Sequence, residues 1–396
     1  MRKRSIAPAL GAAACIAAAA LPAAGADWPQ WRGPARNGIS AEKGWRSQWP
    51  ASGPRRLWSL QVGQGFSSVA VKGGRVYTMG NDGSRDVVTC ANAATGKVVW
   101  QYRYPCGAGD YAGPRATPTI HEGRVYTFSR EGLALCLDAA SGKVLWRRDV
   151  GGRAPNWGYA GSPLVQGGVV IYNVGSSGVA LDKATGRVVW TSGAGTAGYA
   201  SPVAFTGAGG RSGVAIFAGT ALVAVDPRTG RRLWQYPWQT NFDVNAADPI
   251  FTGDAVFISS NYGKGGALLR GVGAGRLSPA WESRSMRNHV NSCVLVGGML
   301  YGNDENTLKC VDLRTGEERW RMRGMGKGGL IAADGKLLVL TERGELVVAR
   351  AAGDRFTELA RAKVMDGTCW THPVLANGLL YARSQEGTLV CLDLRR

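Results

Sequence analysis

Residues 137–146 read LDAASGKVLW, and the phrase recurs as LDKATGRVVW at 181–190, VDPRTGRRLW at 225–234, VDLRTGEERW at 311–320 and ANAATGKVVW at 91–100. Trp281 marks a degraded copy, and Glu358-Leu359 a further one without the indole. With Trp58 included, the tryptophans at 58, 100, 146, 190, 234, 281 and 320 are spaced 39 to 47 residues apart. A period near 40 with several strands per unit predicts propeller blades.

Each part of the phrase has a physical task. Asp138 can accept hydrogen bonds from backbone N–H groups two and three residues on, forming an Asx turn. Gly142 supplies the positive φ that closes a tight hairpin. Val144 and Trp146 are expected on one face of the outgoing strand, because strand side chains alternate. An indole repeated once per unit reads as a wedge between neighbouring blades. A second phrase precedes the first: VAVKGGRVY (69–77), TIHEGRVY (119–126), LVQGGVVIY (164–172), VLVGGMLY (294–301) and VLANGLLY (374–381) each read strand, Gly turn, strand. A third hairpin, as at Ser129-Arg130-Glu131-Gly132, joins strand two to strand three. Each unit is therefore four antiparallel strands.

The count gives eight units. Seven run from Ser67 to about Leu359. The eighth begins near Thr371 and stops at Cys391-Leu392-Asp393-Leu394, one strand short, while Arg55-Arg56-Leu57-Trp58-Ser59-Leu60 is a fourth strand with no unit of its own. Pairing the two closes a ring and removes both open edges. The predicted fold is all-β, an eight-bladed propeller over residues 54–396 closed by its N-terminal strand.

Ahead of it, residues 1–26 read as a signal peptide. Arg2, Lys3 and Arg4 precede an Ala-rich apolar run, and Ala24-Gly25-Ala26 forms an A-x-A site before Asp27. Cys15 follows Ala12-Ala13-Ala14, a poor lipoprotein signal without the usual Leu. Export to the periplasm or beyond is expected, with no transmembrane helix in the mature chain, since no later segment approaches ~20 unbroken apolar residues. Residues 27–53, with Trp28, Trp31, Trp45 and Trp49 among Pro and Gly, lack strand patterning and are expected to pack on the side or rim of the ring.

Losing the leader lowers the formal charge from +19 to +16. Such a charge favours acidic partners, a glycan or lipid among them, although no dense Lys/Arg run interrupts the repeats and no nucleic-acid partner is expected. Seven cysteines remain. Cys90, Cys136, Cys310 and Cys391 share one repeat register, lie in separate blades and read as small buried fillers. Cys106, Cys293 and Cys369 could pair in an oxidising compartment.

Function on such a scaffold belongs in the variable inter-blade connections, here 102–115, 149–162, 236–248, 283–291 and 364–372. They ring one mouth of the channel with Tyr111, Trp157, Tyr159, Tyr199, Phe242 and Trp370, and with Arg115, Asn245, Asp248, Asn288, His289, Asn291, Lys327 and His372. Such groups suit a protein partner or small-molecule ligand. A flat polyanionic quinone would want this mixture, stacking rings with cations for its carboxylates; amides and aromatics would equally plug a narrow channel. The residues singled out for a cofactor are Arg115, Trp157, Tyr159, Asn288, His289, Trp370 and His372. The three histidines show no metal-ligand spacing and no Cys-x-x-Cys occurs, so no metal site is expected. No catalytic set is identifiable.

The LDxxTGKxxW copies resemble the pyrroloquinoline-quinone (PQQ) enzyme repeat. The stretch DWPQWRGP (27–34) resembles the opening of exported PQQ-binding-like propeller proteins, and the likeness spans nearly the whole mature chain, including Met286-Arg287-Asn288-His289 and Trp370-Thr371-His372-Pro373. The resemblance implies two functions of different class. One is a PQQ-dependent dehydrogenase of alcohols or sugars with a calcium ion; this chain is shorter, has no adjacent Cys-Cys pair and shows no convincing calcium set, with Asp243 or Asp248 as a base by position alone. The other is a cofactor-free scaffold like the propeller subunit of the outer-membrane β-barrel assembly machinery. A monomeric binding or scaffold protein is the leading expectation, because the repeats are intact while catalytic groups are not identifiable.

Overall fold

The computed structural model describes residues 26–50 and 52–396; the leader reading falls outside these but for Ala26. Eight antiparallel four-stranded sheets form eight blades, and among the described residues two short 3-10 turns are the only helix. Blade 1 holds strands Ala70–Lys72, Arg75–Asn81, Arg85–Asn92 and Val98–Pro105. Blades 2 to 7 follow at 119–149, 164–191, 203–237, 250–283, 294–323 and 329–363. Blade 8 takes three strands from 374–393 and its outermost from Arg55–Gln61, which pairs with Thr388–Asp393 in register from Arg55↔Asp393 to Gln61↔Thr388. The ring closes as the repeat count requires.

A second lock spans that closure. Arg383, buried in blade 8, donates to Ser67 O (2.7 Å), Thr78 Oγ1 (2.9 Å) and Met79 O of blade 1 and to Gly63 O (2.8 Å). Burial lowers its pKa to about 9, so it stays charged at neutral pH, compensated by carbonyl dipoles.

The repeated phrase performs as its chemistry dictates. Asp138 Oδ1 accepts from the N–H groups of Ala140 (3.1 Å) and Ser141 (2.8 Å). These four indoles reach the same turn of the next blade: Trp58 Nε1 donates to Ala93 O (3.0 Å), Trp100 to Ala139 O (3.1 Å), Trp146 to Lys183 O (3.1 Å) and Trp190 to Pro227 O (3.0 Å). The turn glycine has a further role. A Cβ on Gly142 would lie 2.6 Å from the Trp100 ring, and Gly96, Gly186, Gly230 and Gly316 face the preceding blade's indole in the same way at 2.7 Å. Where blade 5 has lost the phrase, Trp234 Nε1 has no partner among the described residues.

One expectation fails. Val144 and Trp146 do not share a face. Val144 pairs with Leu137 and Trp146 with Cys136, with Leu145 bulged out between them. An inserted residue advances the alternation by one, so Val144 packs with Leu137 between blades 1 and 2, while Trp146 joins Cys136 between blades 2 and 3. All eight blades carry this irregularity between strands three and four. Cys106, Cys293 and Cys369 are all buried free thiols, so the open pairing is not made.

The segment before the ring packs on its outside only in its later part, where Trp45 and Trp49 lie against blades 7 and 8; residues 28–40 instead loop into the channel. Trp28 bridges Val71, and Ile39–Ser40 runs parallel to Ala332–Ala333 as a fifth strand of blade 7. Arg32 Nη2 donates to Cys293 O (2.6 Å) and Arg36 Nη1 to Pro163 O (3.0 Å). Innermost strands turn carbonyl groups toward the axis, and buried carbonyls require donors; the two guanidinium groups provide them. Residues 42–46 then leave along blades 7 and 8, where Glu42 accepts from Asn377 N (2.5 Å) and Arg46 N donates to Leu394 O (2.7 Å).

Candidate functional site

The inner strands begin in a belt of hydrogen bonds. Ser68 N donates to Thr117 Oγ1 (3.1 Å), Thr117 N to Ser162 Oγ (2.9 Å), Ser162 N to Ser201 Oγ (3.0 Å), Ser201 N to Asp248 Oδ1 (2.8 Å) and Asp248 N to Ser292 Oγ (2.9 Å). At five of these blade starts the belt residue precedes a proline: Thr117, Ser162, Ser201, Asp248 and His372. Proline holds its predecessor extended, which suits the first residue of a strand.

Two of the belt residues just named are not Ser or Thr, and both grip the inserted segment. Asp248 Oδ2 accepts from Trp31 Nε1 at 2.6 Å and lies 3.9 Å from Arg32 Nε. The His372 ring meets Trp31 edge-on at 4.9 Å while its Nδ1 bonds Leu330 O at 2.8 Å. Burial lowers the His372 pKa to about 3, so the imidazole is neutral. Trp31 thus forms the floor of a bowl at the inter-blade mouth, with a cavity of about 200 Å³.

Each of the eight connections contributes to the wall: Phe66, Arg115 with Tyr111, Trp157, Tyr199, Val244, His289, Lys327 and Trp370, with Tyr262 added from a blade 5 hairpin. Phe242 extends the wall outward. The rings form two arcs. Tyr199, Trp157, Phe242, Tyr262 and His289 follow one another at centroid separations of 5.4 to 6.4 Å. Across the bowl, Phe66 stacks on Trp370 at 5.5 Å, with Tyr111 beside Trp370 at 6.1 Å. A cation caps each end of that stack: Arg115 lies 5.8 Å over Phe66 and Lys327 Nζ lies 5.4 Å over Trp370.

Three mouth aromatics hold left-handed backbone: Tyr111 (φ 52°), Phe242 (φ 64°) and Tyr262 (φ 56°). Bulky residues rarely adopt this region, and each such residue stores roughly 1–3 kcal/mol. Tyr111 and Phe242 are also 54% and 64% exposed, so their own burial does not offset that strain.

Some polar atoms on the wall are unengaged by protein. Arg115 Nη1, His289 Nδ1 and Asn291 Oδ1 are buried without a hydrogen-bond partner. Burial lowers the Arg115 pKa to about 10, and burial followed by Lys327 lowers that of His289. At neutral pH the wall therefore carries two cations and an uncharged imidazole.

Of the residues singled out from sequence, Arg115, Trp157, His289 and Trp370 line this bowl. The other three stand behind its surface. Tyr159 is buried against Phe128 and donates to Gly151 O (3.3 Å). Asn288 is buried between Asn303 O and the Cys293 thiol. His372 lies under Trp31. Asp243 does not line the cavity, and Asn245 is spent on the carbonyls of Ala218, Gly219 and Trp238. Sequence reasoning missed Phe66, Tyr262 and Trp31. Ring closure makes 62–67 an eighth connection, which exposes Phe66. Tyr262 lies in a second-to-third-strand hairpin, which shares the mouth face. The breaks at Asp248 and His372 in the Ser/Thr-Pro series marked where something other than a neighbouring blade is held.

A family model for outer membrane protein assembly factor BamB matches residues 39–110, 108–322 and 304–396. No curated protein sequence matches. Among solved structures, BamB from Moraxella catarrhalis is similar over 86% of this chain and 97% of its own, at 18% identity and TM-score 0.64. A europium-containing methanol dehydrogenase is similar over 93% and 89%, at 14% identity and TM-score 0.68. Quinohemoprotein alcohol dehydrogenase from Comamonas testosteroni is similar over 93% and 81%, at 15% identity and TM-score 0.69. At these identities the shared property is the fold. Among the described residues no helix is long and apolar enough to cross a membrane.

Proposed function

The chain belongs to the outer membrane protein assembly factor BamB family, and from that membership we propose that it is an exported binding or scaffold protein that engages its ligand or partner at the inter-blade mouth. One observation carries this reading: the allocation of polar atoms in the bowl. Its one carboxylate, Asp248, is committed to Trp31 and the belt, whereas the unengaged atoms belong to Arg115, His289 and Asn291, groups that recognise a ligand. Removal of residues 1–26 underlies export to the periplasm or beyond; N-terminal sequencing of the secreted protein should begin at Asp27. Protein given PQQ and calcium should not reduce an electron-accepting dye with simple alcohols. Turnover there would sink the binding reading.

A PQQ-dependent oxidoreductase is the second reading, favoured by the stacked Phe66–Trp370 pair with a cation at each end. The residues fit such a group in part. Rings and cations suit a planar polycarboxylate, but among the described residues no group of three or more His, Cys, Asp or Glu could hold an accompanying metal ion. Titration with PQQ should then quench tryptophan fluorescence saturably, with loss in Trp157→Ala and Arg115→Ala; a flat titration would end this reading.

A further inference from the structure

From the size, hydrogen-bonding needs and charge of the cavity, we infer that its occupant is one ring of an acidic saccharide, the remainder of the glycan leaving through the mouth. This rests on the mouth being a binding site.

Size comes first. Pockets that bury drug-sized ligands run to ~300–1,000 Å³, and this cavity holds about 200 Å³. It admits one ring. The bowl is open above, so a longer molecule can continue outward across Tyr111 and Phe242, the exposed rings held in left-handed backbone. Strain kept in exposed side chains points to contact with something beyond the protein.

Hydrogen bonding narrows the class. Arg115 Nη1 is a donor without an acceptor. Asn291 Oδ1 is an acceptor without a donor, and its orientation is fixed because Nδ2 donates to Lys327 O (2.9 Å) and Gly328 O (3.1 Å). An occupant must offer both an acceptor and a donor. A saccharide's hydroxyls do so all round the ring, since each is donor and acceptor. A flat aromatic polycarboxylate presents mainly acceptors and would leave Asn291 Oδ1 buried and unmet, which is unfavourable.

Charge completes the description. Arg115 and Lys327 flank the Phe66–Trp370 stack, and no free carboxylate opposes them in the cavity. A carboxylate on the sugar ring would meet a cation at either end of the stack, while aromatic faces cover the ring's C–H faces. An acidic peptide satisfies the charge, but its ionised carboxylate side chains only accept hydrogen bonds and so leave Asn291 Oδ1 without a donor.

The test is calorimetric titration of the mature protein with four probes: tri-galacturonate, its neutral methyl ester, the peptide Asp-Tyr-Glu, and PQQ. Tri-galacturonate should bind saturably, at least tenfold more weakly as the ester and in Lys327→Ala and Trp157→Ala, and more weakly as salt rises. Phe242→Gly, at an exposed position, should weaken it severalfold without lowering the melting temperature. If peptide or PQQ binds in a Trp157-dependent manner and tri-galacturonate does not, the saccharide class falls while the mouth remains a binding site. If tri-galacturonate binds the folded variants as it binds wild type, the assignment of this cavity is overturned. If no probe binds at millimolar concentration, the saccharide class falls and with it the reading of the mouth as a small-ligand site, leaving only a macromolecular partner there.

Discussion

At one end of the ring, the left-handed position in the repeated turn is a glycine each time the phrase is intact: Gly96, Gly142, Gly186, Gly230 and Gly316, with φ between 71° and 76°. At the other end, the mouth places Tyr111, Phe242 and Tyr262 in left-handed backbone, where glycine would be easier. The turn end solves a packing problem identically from blade to blade. A positive φ and a nearby indole both exclude a Cβ, so one residue answers two constraints. The mouth accepts strain to hold rings in place. Stability is concentrated where the sequence repeats, and the proposed recognition where it does not.

The comparison can be broken most directly at the indoles. Trp100→Ala should lower the unfolding free energy by about 3–5 kcal/mol in urea denaturation, because a buried ring and its bond to Ala139 O vanish together. A loss below about 1 kcal/mol would show that the wedge does not bear on ring stability. Gly142→Ala should be next, at about 2–3 kcal/mol, from left-handed strain added to overpacking against Trp100. The same exchange at Gly73, also left-handed but open to solvent, should lose only the smaller conformational part. Equal losses at the two sites would remove the packing argument.

The turn end was nearly all legible in the sequence because its constraints are local. An Asx turn, a glycine and an indole four residues on can be read from ten letters. The bulge that separates Val144 from Trp146 was not legible, since an extra residue in one strand leaves no mark until its partner is known. The mouth was legible in part. Arg115, Trp157, His289 and Trp370 lie in long connections, whose placement follows from the blade count alone. Tyr159, Asn288 and His372 occupy the same connections yet point into the wall, and direction within an irregular loop has no periodicity to reveal it. Trp31 was beyond reach because its partners, Asp248 and His372, are more than 200 residues away in the chain.

Acid should separate the two ends as well. The His372 imidazole is uncharged in the fold, with its pKa lowered to about 3 by burial, then by Arg32, whereas in the unfolded chain it takes up a proton below about 6.5. The unfolded state therefore binds more protons as pH falls, so His372's contribution is complete above about 6.5 and declines toward 3. At pH 5 the decline should be about 2 kcal/mol. At the turn end, Asp138 and Asp182 are held below the ordinary carboxylate range, first by the hydroxyls of Ser141 and Thr185, so their contribution is lost only at lower pH. Denaturation curves of wild type and His372→Gln from pH 7 to 4 should converge as pH falls. Parallel curves would mean that the floor does not set the acid limit.

The smallest effect is the most discriminating, because its sign is opposite to that of every change above. Phe242 is exposed and left-handed, so Phe242→Gly relieves backbone strain while removing little buried surface. Glycine also adds freedom to the unfolded chain, which offsets part of the gain. The net should be a rise of up to about 0.5–1 kcal/mol in unfolding free energy, seen as a melting temperature unchanged or slightly higher, with Tyr111→Gly behaving alike. Such a pair, stable and yet impaired in binding, would identify the mouth aromatics as residues kept for recognition against the preference of the fold. A clear loss of stability in both would show that these rings, like the indoles at the far end, hold the ring together, and the division of labour between the two ends would disappear.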